Sequence, residues 1–383
     1  MLGASRLSYV FLIVAIAASY LTGLGAYPLT ERSEARYTGV AWEMLRSGDY
    51  LTPRFNGIKH FHKPPLFYWM TAGSMALLGE GEAAARLPCA LAALATLAIV
   101  AWWAARPEVG CSRPWLAPTC LATAPFFWEM GRVTVTDMVV TLLVVSALAA
   151  AWKIINDGPS RSSLAFFWFS LGLGFLNKGP VAPLIVGMVL LPCCLWGRVS
   201  WRAFSPLAGL LIAGTIALPW YLWAVCDNPG LLSYFLKFQT VDRVFTTVHE
   251  RTGPPWFYLP VLLGGFLPWT CWLPHGLRQA YRQARRPDQP RPSLDLFLLA
   301  WLVGPTIFFS LIGSKLAPYV LPLFPAMALL VARHFSSVSS RAMKLPLAVL
   351  ALMSVACLAL RHQTMFPRIQ VFERELGWAA CWL

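Results

Sequence analysis

Residues 27–65 form a polar segment in a chain that is otherwise almost continuously apolar. The segment carries carboxylates, among them Glu31 and Glu34, and cations, among them Arg36 and Lys63. Carboxylates accept protons, and arginine and lysine hold anions through charge-assisted hydrogen bonds. A connection of this length is usually functional or disordered, and its aromatic residues argue against disorder. We therefore expect a folded cap that carries part of a site.

Further ionisable residues stand at the ends of apolar segments, where a charge is costly and usually functional. They are Arg132 and Asp137 in GRVTVTD, Lys178 in FLNKGP, and Lys315 with Tyr319 in SKLAPY. Each alone has a simpler explanation, because a lysine can extend to the membrane interface and an aspartate can cap a helix. Together with residues 226–255, they predict one site at a single face, beneath the cap.

The charge balance of this face indicates what it binds. Its cations outnumber its carboxylates, with Lys63, Lys178, Arg243 and Lys315 against Glu34 and Asp137. Such a set suits an anion, and a phosphate or pyrophosphate at the membrane surface fits it. The surrounding apolar segments can hold a lipid tail beside the anion.

The elements that must position these residues are membrane helices. The 383-residue chain is 57% hydrophobic and 13% charged, whereas a soluble domain is about 25% charged. Uncharged runs of roughly 17–20 residues are long enough to cross a bilayer as helices. The first run follows a single early arginine without a clear cleavage pattern, so we interpret it as a span rather than a signal peptide.

We predict an all-α polytopic fold with about eleven transmembrane helices. The predicted spans are Ser8–Ala26, Glu82–Ala105, Trp115–Met130, Met138–Trp152, Leu164–Asn177, Pro180–Trp196, Ala203–Val225, Trp256–Pro274, Leu294–Ile312, Tyr319–Ala332 and Leu345–Leu360. The apolar segment Leu66–Gly79 is interpreted as a helix in the membrane plane. Residues 1–360 thus form one transmembrane domain, and residues 361–383 form a short C-terminal tail.

The loops between these spans differ in charge on the two sides. One side has short basic loops nearly free of acids, such as the arginine cluster within residues 278–291. These loops are expected in the cytoplasm, which places the N-terminus inside and residues 27–65 outside. The net charge of +14 is scattered without a nucleic-acid motif. We attribute it to anionic lipid and phosphate, and expect no nucleic-acid partner.

Residues Glu34–Arg46 show helical periodicity within the polar segment. An apolar stripe is formed by Tyr37, Val40, Ala41, Met44 and Leu45. Ser33 is the predicted N-terminal cap, and Gly48 stands just beyond the predicted end. A helix of this kind tethered at a membrane face should lie in the interface.

Several motifs resemble one family over residues 25–335, in order. They are SEARYTGVAWEMLRSGDYLTPRFNGIKHFHKPPLFYW, TDMVVTLL, LNKGP, PWYLWAV, PGLLSYFLKFQTVDRVF with HERTGPPWFYLPVLLGGFLPW, and FFSLIGSKLAPYVLP. These motifs resemble the bacterial aminoarabinose transferases and their protein O-mannosyltransferase relatives. The resemblance implies a GT-C membrane glycosyltransferase in the bacterial inner membrane. Such an enzyme moves a sugar from a polyprenyl (undecaprenyl) phosphate carrier to an acceptor on the periplasmic side, with inversion.

The resemblance also implies roles for individual residues. Glu34 matches the glutamate of the family's Asp-Glu pair and is the expected base, with Glu31 in reserve, and Asp137 matches a second acid. The expected phosphate or donor ligands are Lys63, Lys178, Arg243, Lys315 and Tyr319, with Arg36 and His62 in reserve. Three positions depart from the family pattern: Ser33 replaces the aspartate, His62 an acid, and Thr240 a histidine.

The last two departures fall on positions that form a metal site in some relatives. We therefore assign no cofactor and leave open whether a divalent metal binds. We also expect no soluble C-terminal domain of the kind that many members carry. The alternatives are a lipid or ion transporter, or an inactive relative that binds polyprenyl phosphate. Charges gathered at one face and the lack of a repeat favour an enzyme over a transporter. The sugar, the acceptor (lipid A, another glycolipid or a protein) and the oligomeric state are left open.

Overall fold

The structure is a computed structural model that describes residues 2–197, 199–242, 252–286, 292–338, 344–346, 348–352 and 355. Helices account for most of these residues. The longer α-helices are α1 (Leu2–Leu21), α2 (Arg32–Ser47), α3 (Leu66–Leu78), α4 (Glu82–Ala104), α5 (Leu116–Ala122), α6 (Pro125–Met130), α7 (Thr136–Asp157), α8 (Arg161–Lys178), α9 (Val181–Gly197), α10 (Pro206–Asp227), α11 (Tyr258–Gly265), α12 (Leu273–Ala284), α13 (Leu294–Leu311) and α14 (Phe324–Arg333).

Shorter elements connect these helices. A three-residue α-helical turn, Leu231–Ser233, continues into a π-helix, Tyr234–Val241. The 3₁₀ helices are Pro107–Val109, Trp201–Phe204, Trp269–Cys271, Ala317–Leu323 and Phe335–Ser337. The described strands are β1 (Arg54–Phe55) and β2 (Ile58–Lys59), an antiparallel hairpin in which Arg54 pairs with Lys59.

Four helices are long and apolar enough to cross a membrane: Glu82–Ala104, Thr136–Asp157, Trp201–Asp227 (which includes a 3₁₀ turn) and Leu294–Leu311. Shorter apolar helices accompany them, and many leucines face outward, such as Leu207 at 83% exposure. The predicted class, an all-α multi-pass membrane protein, is therefore confirmed. The number of eleven spans is not established by these helices. The in-plane orientation of α3 stays a prediction.

Two predicted single spans are broken in the structure, and a proline stands at each break. Pro125 begins α6 and separates it from α5, and Pro268 precedes the 3₁₀ turn between α11 and α12. Proline lacks an N–H group and disfavours helical geometry in the preceding residue, so helices restart at these positions. The predicted span at residues 319–332 is continuous and changes from a 3₁₀ helix to α14 at Phe324. Half of the predicted last span, Leu345–Leu360, lies outside the described residues.

Helix α7 is the centre of the bundle. It lies against α4, α8 and α9, and 83% of the residues in its apolar stretch are buried. Its small residues, for example Ala147 and Ala151, allow close approach of neighbouring helices. A stacked pair, Trp103 with Trp301, fills the core between α4 and α13. This rigid centre fixes the first turn of α7, where Asp137 lies.

The polar segment is a folded cap, as its aromatic content predicted. Helix α2 buries Tyr37, Val40, Ala41 and Met44, and Gly48 ends it in the left-handed conformation, with φ of 72°. The prediction that Ser33 caps α2 is wrong. The cap is Glu31, whose Oε2 accepts hydrogen bonds from the N–H groups of residues 33 and 34.

Hydrogen bonds from two indole groups and one lysine side chain join this cap to the helices beneath it. Trp69 Nε1 donates to the carbonyl oxygen of Tyr50 at 2.6 Å, and Trp220 Nε1 donates to that of Leu51 at 2.9 Å. Lys59 Nζ donates to Asn228 Oδ1 at 2.6 Å. The segment is therefore held against α3 and the end of α10, at the end of the bundle where Asp137 lies.

Candidate active site

Asp137 and Lys178 form the centre of the candidate site. Lys178 Nζ donates to Asp137 Oδ1 at 2.5 Å, joining the first turn of α7 to the last residue of α8. Gly179 follows at φ of 64°, a backbone conformation that suits glycine and turns the chain sharply after the lysine. Lys178 Nζ also lies 5.2 Å from the ring centroid of Tyr319. The structure thus brings together three of the predicted residues.

Lys315 lies buried in the segment that leads to Tyr319. Its Nζ donates to the carbonyl oxygen of Ile312 at 2.8 Å, which accounts for one of its three N–H groups. Tyr258 fixes this segment, because its hydroxyl accepts a hydrogen bond from Leu316 N–H at 3.2 Å. Tyr258 also lies near enough to Asp137 and Tyr319 to interact with them electrostatically. Lys315 is therefore held on an element that borders the Asp137–Lys178 pair.

The cap contributes Arg36 and Tyr37 to the same region, and α3 contributes Tyr68. The Arg36 guanidinium lies 5.3 Å from the Tyr37 ring centroid. The Tyr37 and Tyr68 rings are 6.2 Å apart. Burial raises the pKa of Tyr37, and the charges of Lys178 and Asp137 also act on it. Tyr37 therefore connects the cap to the pair beneath it.

Several buried polar atoms of this region have no hydrogen-bond partner within the described part of the chain. They are Arg36 Nε, His60 Nε2, Tyr68 OH, Asn177 Oδ1 and Ser314 Oγ. Buried polar groups are nearly always paired, so such atoms require an explanation. Arg36 and His60 belong to the cap, Tyr68 lies in the first turn of α3, and Asn177 and Ser314 directly precede Lys178 and Lys315 in sequence. Their missing partners must therefore be supplied by water or by a ligand.

Glu34 lies in a buried ion pair with Arg86 of α4, with side chains 1% and 0% exposed. Arg86 donates to both carboxylate oxygens, from Nε at 2.8 Å and from Nη2 at 2.9 Å, and Thr134 N–H donates to Oε1 at 3.0 Å. The other Arg86 contacts are the carbonyl oxygens of Leu24, Tyr27 and Pro28 beyond α1. The role of Glu34 as a base stays a prediction, and this geometry favours a framework role.

The remaining predicted residues are distributed around the cap. Glu31 caps α2, as described above. His62 is exposed, with its ring stacked on that of His60 at 4.1 Å, and Lys63 follows it, half-buried, before α3. Arg243 lies outside the described residues. Arg132 closes the end of α1, because its Nη1 donates to the carbonyl oxygens of Ser19 and Thr22 at 2.7 Å each.

A metal centre of three or more histidine, cysteine, aspartate or glutamate side chains is not found where the structure describes the chain. The chemistry of the described site is that of cations around a single carboxylate. Lys178 and Lys315 can neutralise an anion, and Tyr319 lies beside them. Asp137, whose side chain is 14% exposed, can accept a proton.

Sequence reasoning missed Arg86, Tyr68 and Tyr258. A signal for Arg86 was present, because an arginine near the start of an apolar span is unusual and normally paired. The two tyrosines gave no comparable signal. Tyrosine is common in apolar segments, and only the coordinates show that the Tyr68 hydroxyl is buried without a partner.

Comparisons with known proteins show which family this chain resembles. The model of dolichyl-phosphate-mannose-protein mannosyltransferases matches residues 62–223. Curated relatives named undecaprenyl phosphate-alpha-4-amino-4-deoxy-L-arabinose arabinosyl transferase are 31% identical in Aeromonas salmonicida, over 82% of this chain and 57% of the relative. The relative of the same name in Pseudomonas aeruginosa (strain UCBPP-PA14) is 33% identical, over 93% of this chain and 66% of the relative. The structure of ArnT from Cupriavidus metallidurans bound to undecaprenyl phosphate superposes with a TM-score of 0.85 at 27% identity, covering 98% of this chain and 69% of ArnT.

The chain belongs to the GT-C aminoarabinose transferase family. The resemblance carried by the sequence motifs is thereby confirmed. An oligosaccharyltransferase from Archaeoglobus fulgidus, with a TM-score of 0.52 at 13% identity, shares the fold alone. The chain spans about three fifths of the length of the curated arabinosyl transferases that it matches, 57% in Aeromonas salmonicida and 60% in Erwinia tasmaniensis.

Proposed function

We propose that this protein is a membrane glycosyltransferase that moves a sugar from a polyprenyl phosphate carrier to an acceptor. The observation that carries the proposal is the ion pair of buried Lys178 with partly buried Asp137, beside Tyr319 and near the buried Lys315, at the polar end of an apolar bundle of this family. Cations at this depth serve a phosphate, and the apolar flanks suit a lipid chain.

The first task of the site is to stabilise the leaving phosphate. As the bond between the anomeric carbon and the phosphate oxygen breaks, negative charge grows on the carrier phosphate. Lys178 and Lys315 offset that charge, with Tyr319 as a neutral donor and with Lys63 and Arg243 as further ligands carried over from the family. A preorganised donor of this kind is worth about 3–4 kcal/mol of the barrier.

The second task is to take a proton from the acceptor. An acceptor hydroxyl or amine attacks the anomeric carbon, on the face opposite the phosphate for inversion, and its proton passes to a carboxylate. We assign that role to Asp137, because it lies among the cations with part of its side chain accessible. Glu34, enclosed by three donors, instead holds the cap in position. A general base contributes about 10²–10⁴-fold.

The donor is an undecaprenyl phosphate sugar, as in the names of the curated relatives and in the undecaprenyl phosphate complex of the Cupriavidus protein. A lipid of the lipid A kind is the preferred acceptor because it shares the membrane surface with the donor, and a protein acceptor is the alternative. We further propose that the site faces the periplasm from the inner membrane, and the basic loops at the opposite end of the bundle support this orientation.

A transfer assay tests this proposal. The purified full chain is incubated with undecaprenyl phosphate carrying radiolabelled 4-amino-4-deoxy-L-arabinose and with a bacterial membrane lipid extract. We expect label to move to the extracted lipid and undecaprenyl phosphate to be released. Label that stays on the donor, although the donor binds, would indicate an inactive relative. Accumulation of intact donor across a vesicle membrane would indicate a transporter.

A further inference from the structure

The hydroxyl of Tyr68 is a buried polar group without a partner. Tyr68 lies in the first turn of α3 and is 0% exposed, and its hydroxyl makes no hydrogen bond within the part of the chain that the structure describes. An unpaired buried hydroxyl costs free energy in the unliganded protein. It is expected where the missing partner is supplied by a ligand.

The surroundings of this hydroxyl are polar and charged. Arg36, Tyr37 and Tyr234 all lie near enough to act on it electrostatically. Arg36 Nε is likewise buried without a hydrogen-bond partner in the described part of the chain. Tyr37 connects the two residues, because its ring lies 5.3 Å from the Arg36 guanidinium and 6.2 Å from the Tyr68 ring. Two unpaired groups, one from α2 and one from α3, therefore flank the same tyrosine.

This pair borders the proposed phosphate site without being part of it. Tyr37, which contacts both residues of the pair, is also near enough to Lys178 and Asp137 for their charges to act on it. Lys178 and Lys315 already provide charge for the phosphate. A neutral hydroxyl and one guanidinium N–H are better matched to a group that both donates and accepts hydrogen bonds.

We propose that Tyr68 and Arg36 bind a hydroxyl group of the sugar being transferred and thereby determine sugar specificity. The sugar hydroxyl accepts from Arg36 Nε–H and donates to the Tyr68 oxygen, which satisfies both unpaired atoms. This inference rests on the proposed glycosyl transfer. A site built to pair with a substrate hydroxyl discriminates strongly against analogues that lack it, because its own polar groups are then left unpaired.

The Tyr68→Phe variant tests the inference, because it removes the hydroxyl and no hydrogen bond of the described structure. Binding is measured by calorimetry with two probes, undecaprenyl phosphate-alpha-4-amino-4-deoxy-L-arabinose and sugar-free undecaprenyl phosphate. We expect Tyr68→Phe to bind the glycosylated probe about three- to tenfold more weakly. Its affinity for the sugar-free probe should be unchanged, and its thermal midpoint should not fall.

Tyr20→Phe is the matched control, because Tyr20 is equally buried but its hydroxyl donates to the carbonyl oxygen of Ala122 at 3.0 Å. That variant should lower the thermal midpoint and leave the affinity ratio of the two probes unchanged. If Tyr68→Phe and wild type bound the glycosylated probe with equal affinity, the proposed sugar subsite would be wrong. The proposed function would still stand as long as the wild-type protein transferred sugar. A wild-type protein that bound neither probe would overturn the proposed function as well.

Discussion

The Glu34→Gln substitution separates a framework role of this residue from a catalytic one. Glutamine keeps the size of the side chain but removes the charge that balances Arg86. The two groups are joined by hydrogen bonds of 2.8 and 2.9 Å in a site closed to solvent. Breaking a buried pair on one side typically costs about 3–5 kcal/mol, because the other charge stays buried without its partner.

Three carbonyl contacts of Arg86 survive in this variant, so we expect the low end of that range, about 3 kcal/mol. The assay is thermal unfolding of the purified protein in detergent, measured together with sugar transfer per folded molecule. Unfolding should occur at a clearly lower temperature. Transfer by the molecules that remain folded should fall much less than the 10²-fold expected when a general base is removed.

Two controls define this experiment. Glu80→Gln breaks an exposed pair with Arg46 and should change the unfolding temperature little. Arg86→Met should lower the unfolding temperature less in the Glu34→Gln background than in the wild-type protein, because the ion pair is already broken there. An unchanged unfolding temperature with abolished transfer would refute the reasoning, and would identify Glu34 as the base.

Three further predictions concern the lysine, the histidine and the membrane orientation. Lys315→Ala should weaken binding of undecaprenyl phosphate in calorimetry while the protein still extracts folded, and unchanged affinity would leave Lys315 as a structural residue. Burial and the charge of Arg36 lower the pKa of His60, so the folded state favours neutral imidazole. The thermal midpoint should therefore fall as the pH drops below the ordinary value of 6.5, and His60→Gln should reduce that fall. With Cys226 replaced, a cysteine at Asn56 should react with an impermeant thiol reagent from the periplasm and one at Gln283 should not, whereas the reverse labelling would invert the site.

Local sequence signals predicted the cap well. The stripe from Tyr37 to Met44 and the glycine at position 48 define α2 because helical periodicity and left-handed backbone are short-range properties. The N-terminal cap was assigned to Ser33 rather than Glu31, although both side chains can accept the first N–H groups. The choice depends on the direction in which the chain enters the helix, which local sequence does not determine.

The bundle was predicted less completely, and proline is the main reason. Hydropathy averages over a window and treats residues 115–130 as one span, whereas Pro125 ends one helix and begins another. Such breaks are tolerated in membrane proteins when neighbouring helices and side chains satisfy the freed backbone groups. Whether this happens depends on tertiary contacts, which the apolar pattern alone does not contain.

The pairwise contacts within the site could not be predicted from the sequence and are seen only in the three-dimensional structure. Asp137 and Lys178 are separated by 41 positions, and membership of the same face was predicted without their ion pair. Glu34 was assigned as the base from its match to the family's Asp-Glu pair, and its ion pair with Arg86, 52 positions away in a different helix, was not predicted. A carboxylate and its distant arginine look the same in sequence whether they stabilise a fold or meet at a reaction centre.

Transfer by the Lys178→Ala variant tests most directly whether the Asp137–Lys178 region is the reaction centre. Single-turnover transfer of labelled sugar from undecaprenyl phosphate is measured at saturating donor, with Lys153→Ala as control because Lys153 is a half-buried lysine toward the other end of α7. We predict a loss of about 10²–10³-fold for Lys178→Ala and no loss for the control. Transfer at the wild-type rate by a folded Lys178→Ala protein would contradict the account.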